Sequence, residues 1–395
     1  MLVTRLFQFI IFCSLLIPQQ IFAQDSTAIT IGYTHSIYSK LLKENRSYWV
    51  YLPKSYQDKA FTSNKYPVMV LLDGDTHFHS ATGVVQFLAA DHKIPEMIVV
   101  GVLNTDRTRD LTPTHTELDN DGKVQPQLKT SGGGDRFLAF LSEELLPHID
   151  SMYRTLPYRL MVGHSAGGSL AAHDFISEEP MCNAYLAFDP NVGWDNSITI
   201  RHLKAQQVFP RKKTGRFYLS LAHNTDAPLD TTNFRKAQDQ FCAELKTAGL
   251  PDSCFKADYF EQENHRSIPL ISLYHGLLFT FHGFYQKNPE NLDLAGLKKH
   301  YEQISKRWQV QFLPVEKNVN DHGYYHLYTT KNLKKALTYF TYNTELYPLS
   351  FNAWDSLAEY YMVSGDHKKA KLYYQKSLDL NPKNEGAVKM LQKLK

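Results

Sequence analysis

From Tyr66 to about His265, short apolar runs alternate with amphipathic stretches. The runs are Val68 to Leu72, Met97 to Val102, Leu160 to Val162, Ala184 to Phe188, Phe217 to Leu221 and Phe255 to Phe260. They are rich in Val, Leu and Phe and mostly apolar on both faces, as strands of a parallel sheet covered by helices must be. Between them, Gly83 to Ala90, Asp135 to Tyr153, Gly167 to Ser177 and Thr232 to Ala248 carry helical periodicity. Strand–helix alternation implies right-handed crossovers and an α/β fold with a doubly wound, mostly parallel sheet. Upstream, Ser47 to Leu52 is β-prone and follows the turn residues Lys43-Glu44-Asn45. It reads as part of an antiparallel hairpin on the sheet edge.

Around Lys287 to Asn291 the pattern breaks. Leu294, Leu297, Tyr301, Ile304 and Trp308 then fall on one face of a helix, Leu294 to Trp308. Beyond it the chain repeats itself. Ala336, Phe340, Leu346, Pro348 and Ala353 recur as Ala370, Tyr374, Leu380, Pro382 and Ala387, a period of about 34 residues. Trp354-x2-Leu357-Ala358-x2-Tyr361 supplies a first-helix signature and Gly365-Asp366 the interhelix turn, so the segment resembles a small all-α tetratricopeptide-repeat module. About two units fit, too few to share much interface alone, so the module is expected to dock on the domain before it. The resulting division is a leader at 1–23, an α/β domain at 24–287, a linker with a helix at 288–320 and repeats at 321–395.

The leader reading rests on Arg5, the apolar stretch Leu6 to Ile17 and Ile21-Phe22-Ala23 before Gln24. This is the pattern of a secretory signal peptide, shorter than the ~20 apolar residues of a bilayer span. An exported protein, periplasmic or secreted and without a membrane span, is expected. Cys182, Cys242 and Cys254 would remain, and the Gly249-Leu250-Pro251 turn leaves open either a Cys242–Cys254 disulfide or free thiols. With a formal net charge of +3 and no run of five like charges, nothing marks a nucleic-acid partner.

The chemistry is concentrated after Leu160 to Val162. There the chain reads Gly163-His164-Ser165-Ala166-Gly167-Gly168, a G-x-S-x-G placed between a predicted strand and a predicted helix. A sharp strand-to-helix turn of this kind lifts the serine above the sheet's carboxyl edge, and the flanking glycines avoid clashes. Ser165 is the candidate nucleophile and the Ala166 N–H a candidate oxyanion donor. In α/β-hydrolases the acid and then the histidine follow the nucleophile in the chain. His265, in the polar loop Glu261 to Ser267 after the last strand, is the candidate base. The acid is expected after Phe217 to Leu221. Asp226 is chosen, with Asp230, Glu263 or no acid at all as the alternatives.

The loop Asp73-Gly74-Asp75-Thr76-His77-Phe78 should supply the second oxyanion donor, from Asp75 or Gly74. His77 and His79 lack further metal-ligand spacing and read as pocket wall. No metal or organic cofactor is implied. Arg107 and Arg109, after Met97 to Val102, are candidate substrate contacts or salt-bridge partners of Asp106 and Asp110. His164 beside the nucleophile, and Trp194 in the segment after Ala184 to Phe188, complete the candidate substrate contacts.

Taken together, Ile31 to Gln286 resembles the "putative esterase" family of esterase D-like and siderophore-esterase-like α/β-hydrolases. The marks are Arg46-Ser47-Tyr48-Trp49-Val50-Tyr51-Leu52-Pro53, Leu72-Asp73-Gly74, Asn104 through Pro113, and His265 through Leu277. The resemblance implies the roles of Ser165 and His265, and a small-molecule ester as substrate, of siderophore type at family level. One segment departs: Asp189-Pro190-Asn191-Val192-Gly193-Trp194 stands where many relatives read Ser-Pro-Ser-x-Trp-Trp. Two other readings use the same residues. One is a catalytically idle scaffold that binds a protein partner through its repeats; the other is acyl transfer or peptide cleavage on the same triad.

Overall fold

Eight strands form one sheet: β1 (Tyr33–Ser39), β2 (Glu44–Tyr51), β3 (Tyr66–Leu71), β4 (Ile98–Val102), β5 (Thr155–His164), β6 (Ala184–Phe188), β7 (Arg216–Ala222) and β8 (Phe255–Phe260). The structure, a computed structural model, describes residues 28–205, 215–224, 231–284 and 293–395. The strand order is β1-β2-β4-β3-β5-β6-β7-β8. Strand β2 pairs antiparallel with both of its neighbours, and every pair from β4 to β8 is parallel.

All residues of β3, β4, β6 and β7 are buried, which explains their continuous apolar character. The two-residue period of a strand divides them between two cores. Val68 and Val70 join Tyr48, Leu111 and Phe137 on one face. Met69 and Leu71 join Phe78, Leu88 and Leu277 on the other.

Three local departures from the sequence expectation have physical causes. The helix after β3 begins at Gly74, not Gly83, and runs to Ala90. Asp73 turns the chain with φ 52°, and Gly74 lies so close to β4 that a Cβ there would stand 2.6 Å from the Gly101 carbonyl carbon. The residues read as an oxyanion loop are therefore a helix N-terminus. Second, the expected helix Asp135 to Tyr153 holds a π-helical stretch, Phe140–Leu145, between Gly134–Ala139 and Leu146–Met152. Pro147 has no N–H to give the preceding turn, and such a ladder defect is relieved by a wider turn. Third, Trp194–Ala205 forms a helix that the sequence pattern did not announce, entered through left-handed Asp195, Asn196 and Ser197.

The family marks near β2 and β4 also have a structural reason. Arg46, 1% exposed, donates to Asp110, also 1% exposed, and lies over the Phe137 and Phe140 rings. Arg109 completes the cluster through Glu44 and Asp110. A charge this deep must be paired, and here each is.

The predicted helix Leu294–Trp308 is present, with Leu297, Tyr301, Ile304 and Trp308 buried in the same core as Leu71 and Phe78. Trp308 stacks among Phe281, Phe284 and Phe312 at ring distances of 5.8, 6.2 and 5.6 Å. Helices Glu316–Tyr324, Leu333–Leu346, Phe351–Val363, His367–Leu380 and Glu385–Lys393 follow. Two of them stop at Leu346 and Leu380, just before the repeat prolines. Gly365 makes the interhelix turn with φ 84°. Ala353, Ala358, Ala370 and Ala387 are fully buried and let the helices approach. Gly32–Lys395 forms one compact unit. Val319 and Tyr339 join the sheet's core, whereas the repeat helices otherwise form two clusters of their own, around Phe340 and Leu357 and around Ala370 and Tyr374.

Cys182, Cys242 and Cys254 are free thiols, so the disulfide left open by the sequence is not formed. Burial pushes the Cys242 thiol up to about 11. Among the described residues, no helix is long and apolar enough to cross a membrane.

The aromatic cluster makes the docking testable. Trp308→Ala removes its central ring and is expected to cost ~3 to 5 kcal/mol, the range for large-to-small core changes. Thermal unfolding should show one transition at a lower temperature. An unchanged melting temperature would mean that the helix carries no stabilising contact.

Candidate functional site

Strand β5 ends at His164, and the next residue turns with φ 56° and ψ −115° before helix Ala166–Ile176 begins. That residue is Ser165. A non-glycine backbone in this region costs ~1 to 3 kcal/mol and persists only where its surroundings enforce it. Here the Ser165 N–H donates to the Phe188 carbonyl at 2.9 Å, and its own carbonyl accepts from Ser169 N at 2.9 Å and Asn191 N at 3.2 Å. Gly163 has no room to be anything else. A Cβ on Gly163 would stand 2.2 Å from the Gly167 carbonyl oxygen.

His265 lies in the loop between β8 and helix Ile268–Thr280. Its Nδ1 is 2.6 Å from an Asp189 carboxylate oxygen. An acceptor at Nδ1 fixes the proton there and leaves Nε2 as the basic nitrogen. Its ring lies 4.5 Å from that of His164, the residue before Ser165, and packs edge-on to Phe234. Asp189 has no solvent exposure. It also accepts from Asn224 Nδ2 at 2.8 Å, Gln238 Nε2 at 2.9 Å and Ala222 N at 3.1 Å. Burial by itself would raise the carboxyl pKa; the hydrogen bonds from His265, Asn224, Gln238 and Ala222 outweigh it and hold the pKa below the ordinary value.

Asp189 thus occupies the position for which the sequence offered Asp226, Asp230 or Glu263. Asp226 and Asp230 lie outside the described residues. Glu263 offers its main-chain carbonyl to His223 N at 2.9 Å. Chain order pointed to the end of β7, whereas Asp189 stands at the end of β6. The two ends are adjacent: Phe188 pairs with Ser220, and Asp189 N donates to the Ser220 carbonyl at 2.8 Å. The available signal was Asp-Pro directly after the strand beside the serine turn, at the start of the segment that departs from the Ser-Pro-Ser-x-Trp-Trp of many relatives.

On the other side of Ser165, Asp73 precedes helix Gly74–Ala90 and is held by a two-pronged bond from Arg107, Nε to Oδ1 at 2.7 Å and Nη2 to Oδ2 at 2.9 Å. Asn104 Nδ2 bridges Asp73 and Asp75 at 2.8 and 2.9 Å. The two turns touch, since a Cβ on Gly167 would lie 3.4 Å from Asp73 Oδ2. The first N–H groups of both helices, at Ala166 and at Gly74 and Asp75, are those an α-helix leaves without an internal acceptor.

The candidate substrate contacts fare differently. Arg109 has its donors committed to Glu44 and Asp110, and those carboxylates hold its guanidinium pKa well above the usual range, so it belongs to the framework. Trp194 is 7% exposed and donates its indole N–H to the Thr114 carbonyl at 3.0 Å. His164 gives its Nε2–H to the His265 carbonyl at 2.7 Å. Arg107 is tied to Asp73 but its side chain is 42% exposed. His77 packs edge-on to His164 at 5.5 Å, whereas His79 is exposed. A cleft of about 1010 Å³ lies elsewhere, among Tyr66, Pro95, Pro157, Phe312 and Tyr347 at the amino ends of β3 to β5. It contains neither Ser165 nor His265 nor Asp189.

A strained serine after the central strand and a carboxylate-held histidine after the last one, on a sheet of this order, make the chain an α/β-hydrolase-fold protein. Comparison with known proteins carries this further. Residues 39–174 match the family described as "Putative esterase", and residues 351–384 match the tetratricopeptide repeat, so the chain joins an esterase-family region to a repeat module. The ferri-bacillibactin esterase BesA of Bacillus subtilis is 24% identical over 284 residues, covering 65% of this chain and 92% of that protein. The siderophore triacetylfusarinine C esterase of Aspergillus fumigatus is 26% identical over 263 residues, 58% of this chain and 86% of its own. An IroE-like serine hydrolase from Shewanella oneidensis has a solved structure that superposes with a TM-score of 0.70 at 28% identity. It covers 80% of this chain and 99% of its own.

The carboxylate assignment is open to a direct test. Asp189→Asn would present an amide to His265 Nδ1 and favour the wrong tautomer, so kcat for ester hydrolysis should fall ~10² to 10⁴ with little change in KM. A larger loss from Asp226→Asn than from Asp189→Asn would return the role to the loop after β7.

Proposed function

We propose that this protein is a serine hydrolase that cleaves a carboxylic ester through an acyl-enzyme. The observation that carries the reading is the hydrogen bond from His265 Nδ1 to buried Asp189, on an imidazole whose ring lies 4.5 Å from that of His164, the residue preceding a strained serine. In this mechanism His265 Nε2 takes the Ser165 hydroxyl proton as Oγ attacks the ester carbonyl. The N–H groups of Ala166 and of Gly74 or Asp75, at the positive ends of two helices, receive the developing oxyanion. His265 returns the proton to the departing alkoxide, leaving an acylated Ser165 and a free alcohol. Water, deprotonated by His265, then releases the carboxylic acid. Asp189 stabilises the imidazolium in both steps.

The substrate class is a siderophore-type ester, in line with the names of the two bacterial and fungal relatives. Residues 1–23 would direct export, so the reaction would take place outside the cytoplasm. The repeat module offers a protein-binding surface in addition to its packing role.

Ser165→Ala should abolish hydrolysis of a p-nitrophenyl ester, by several orders of magnitude, and eliminate fluorophosphonate labelling, with circular dichroism unchanged. A folded variant that retains about a tenth of wild-type activity would rule out Ser165 as the nucleophile, given that scale of loss.

A further inference from the structure

His164 is the last residue of β5, directly before Ser165, and its side chain does not reach outward. Its Nε2 meets the main-chain carbonyl of His265 at 2.7 Å. A carbonyl only accepts, so Nε2 carries the proton and Nδ1 is bare in the neutral ring. His265 is consequently held twice, by Asp189 at its imidazole and by His164 at its backbone. On the main-chain side, His164's own carbonyl lies 3.4 Å from Arg107 Nη2, whose guanidinium grips Asp73.

We infer that His164 is a positioning residue: its neutral Nε2–H fixes the loop bearing His265 relative to the serine turn. This rests on the Ser165–His265 reading and adds to it. A second requirement follows from the 4.5 Å ring separation. During the reaction His265 becomes a cation, and a charged neighbour at that distance would oppose it. His164 meets the requirement, because burial first, then His265 and His77, bring its pKa down to about 3, against the raising influence of the His265 carbonyl and Asp189. The groups facing it are His265 after β8, His77 on helix Gly74–Ala90 and Asp189 after β6. It therefore stays neutral throughout the range in which His265 works.

Two substitutions separate positioning from mere filling of space. His164→Phe keeps a flat ring and loses the donor; His164→Gln keeps an N–H donor at similar reach. The expected result is a kcat loss of ~10² in His164→Phe, the scale of a small misplacement of reacting groups, with KM nearly unchanged. His164→Gln should recover most of that loss. Independently of turnover, the low-field proton resonance of His265 Nδ1–H should persist in the wild type and His164→Gln and broaden away in His164→Phe. Unaltered kcat in a folded His164→Phe, or equal losses in both variants, would overturn the positioning role. A change confined to KM would make His164 a substrate contact instead. If the wild type itself fails to react with a fluorophosphonate, the nucleophile reading is at fault, while the resonance comparison still reports on His164.

Discussion

The Asp189 carboxylate has no exposure to solvent and accepts from four donors on four different segments: the end of β7 at Ala222, the turn at Asn224, the helix carrying Gln238 and the loop carrying His265. An ionised carboxylate at that depth is costly unless its oxygens are satisfied. Satisfying them draws those four segments to one point on the sheet's carboxyl edge. Asp189 is also fastened to the sheet itself, through its N–H to Ser220. The position and tautomer of His265 follow from this one group.

Backbone strain gathers on the same edge. Asp73, Ser165, Asp189 and Asn224 all have positive φ, and none is a glycine. Each lies at or just beyond the end of a strand, where the chain must turn sharply to send a side chain over the sheet. Such conformations are unfavourable singly and need surrounding contacts to hold them. The contacts are present in each case: Arg107 and Asn104 on Asp73, Phe188 on Ser165, Ser220 on Asp189, and Asp189 on Asn224. The geometry of the candidate site and the tertiary packing of the strand ends are here the same set of bonds.

The parallel strands were legible because burial on both faces leaves a one-dimensional trace, a continuous apolar run. The linker helix was legible for the opposite reason, a one-sided apolar stripe that matches its buried residues Leu297, Tyr301, Ile304 and Trp308. Gly163 before Ser165 was legible because local sterics admit nothing larger. Asp189 was not, since its role depends on which strand ends lie side by side, and adjacency of β6 and β7 is a property of the assembled sheet. The helix start at Gly74 was likewise hidden, because the close approach to Gly101 on β4 is a tertiary fact. The salt bridge of Arg109 with neighbouring Asp110 was open to the sequence, whereas its second partner Glu44, far away in the chain, was out of view.

Helix Ile268–Thr280 joins the two ends of this molecule. It starts just after His265, and Asn264 and Ser267 brace that start through bonds to each other's main chain. Its far end leads into Phe281 and Phe284, which lie against Trp308, Tyr301 and Phe312. Arg307 and His300 bind the carbonyls of His282 and Phe284 there. Without the helices from Leu294 onward, those aromatic rings would face water and the helix end would lose its partners. A helix frays from an unanchored end, and local stability falls where buried contacts are few. The linker helix Leu294–Trp308, with Phe312 after it, therefore stiffens, through one short helix, the support on which the His265 loop rests.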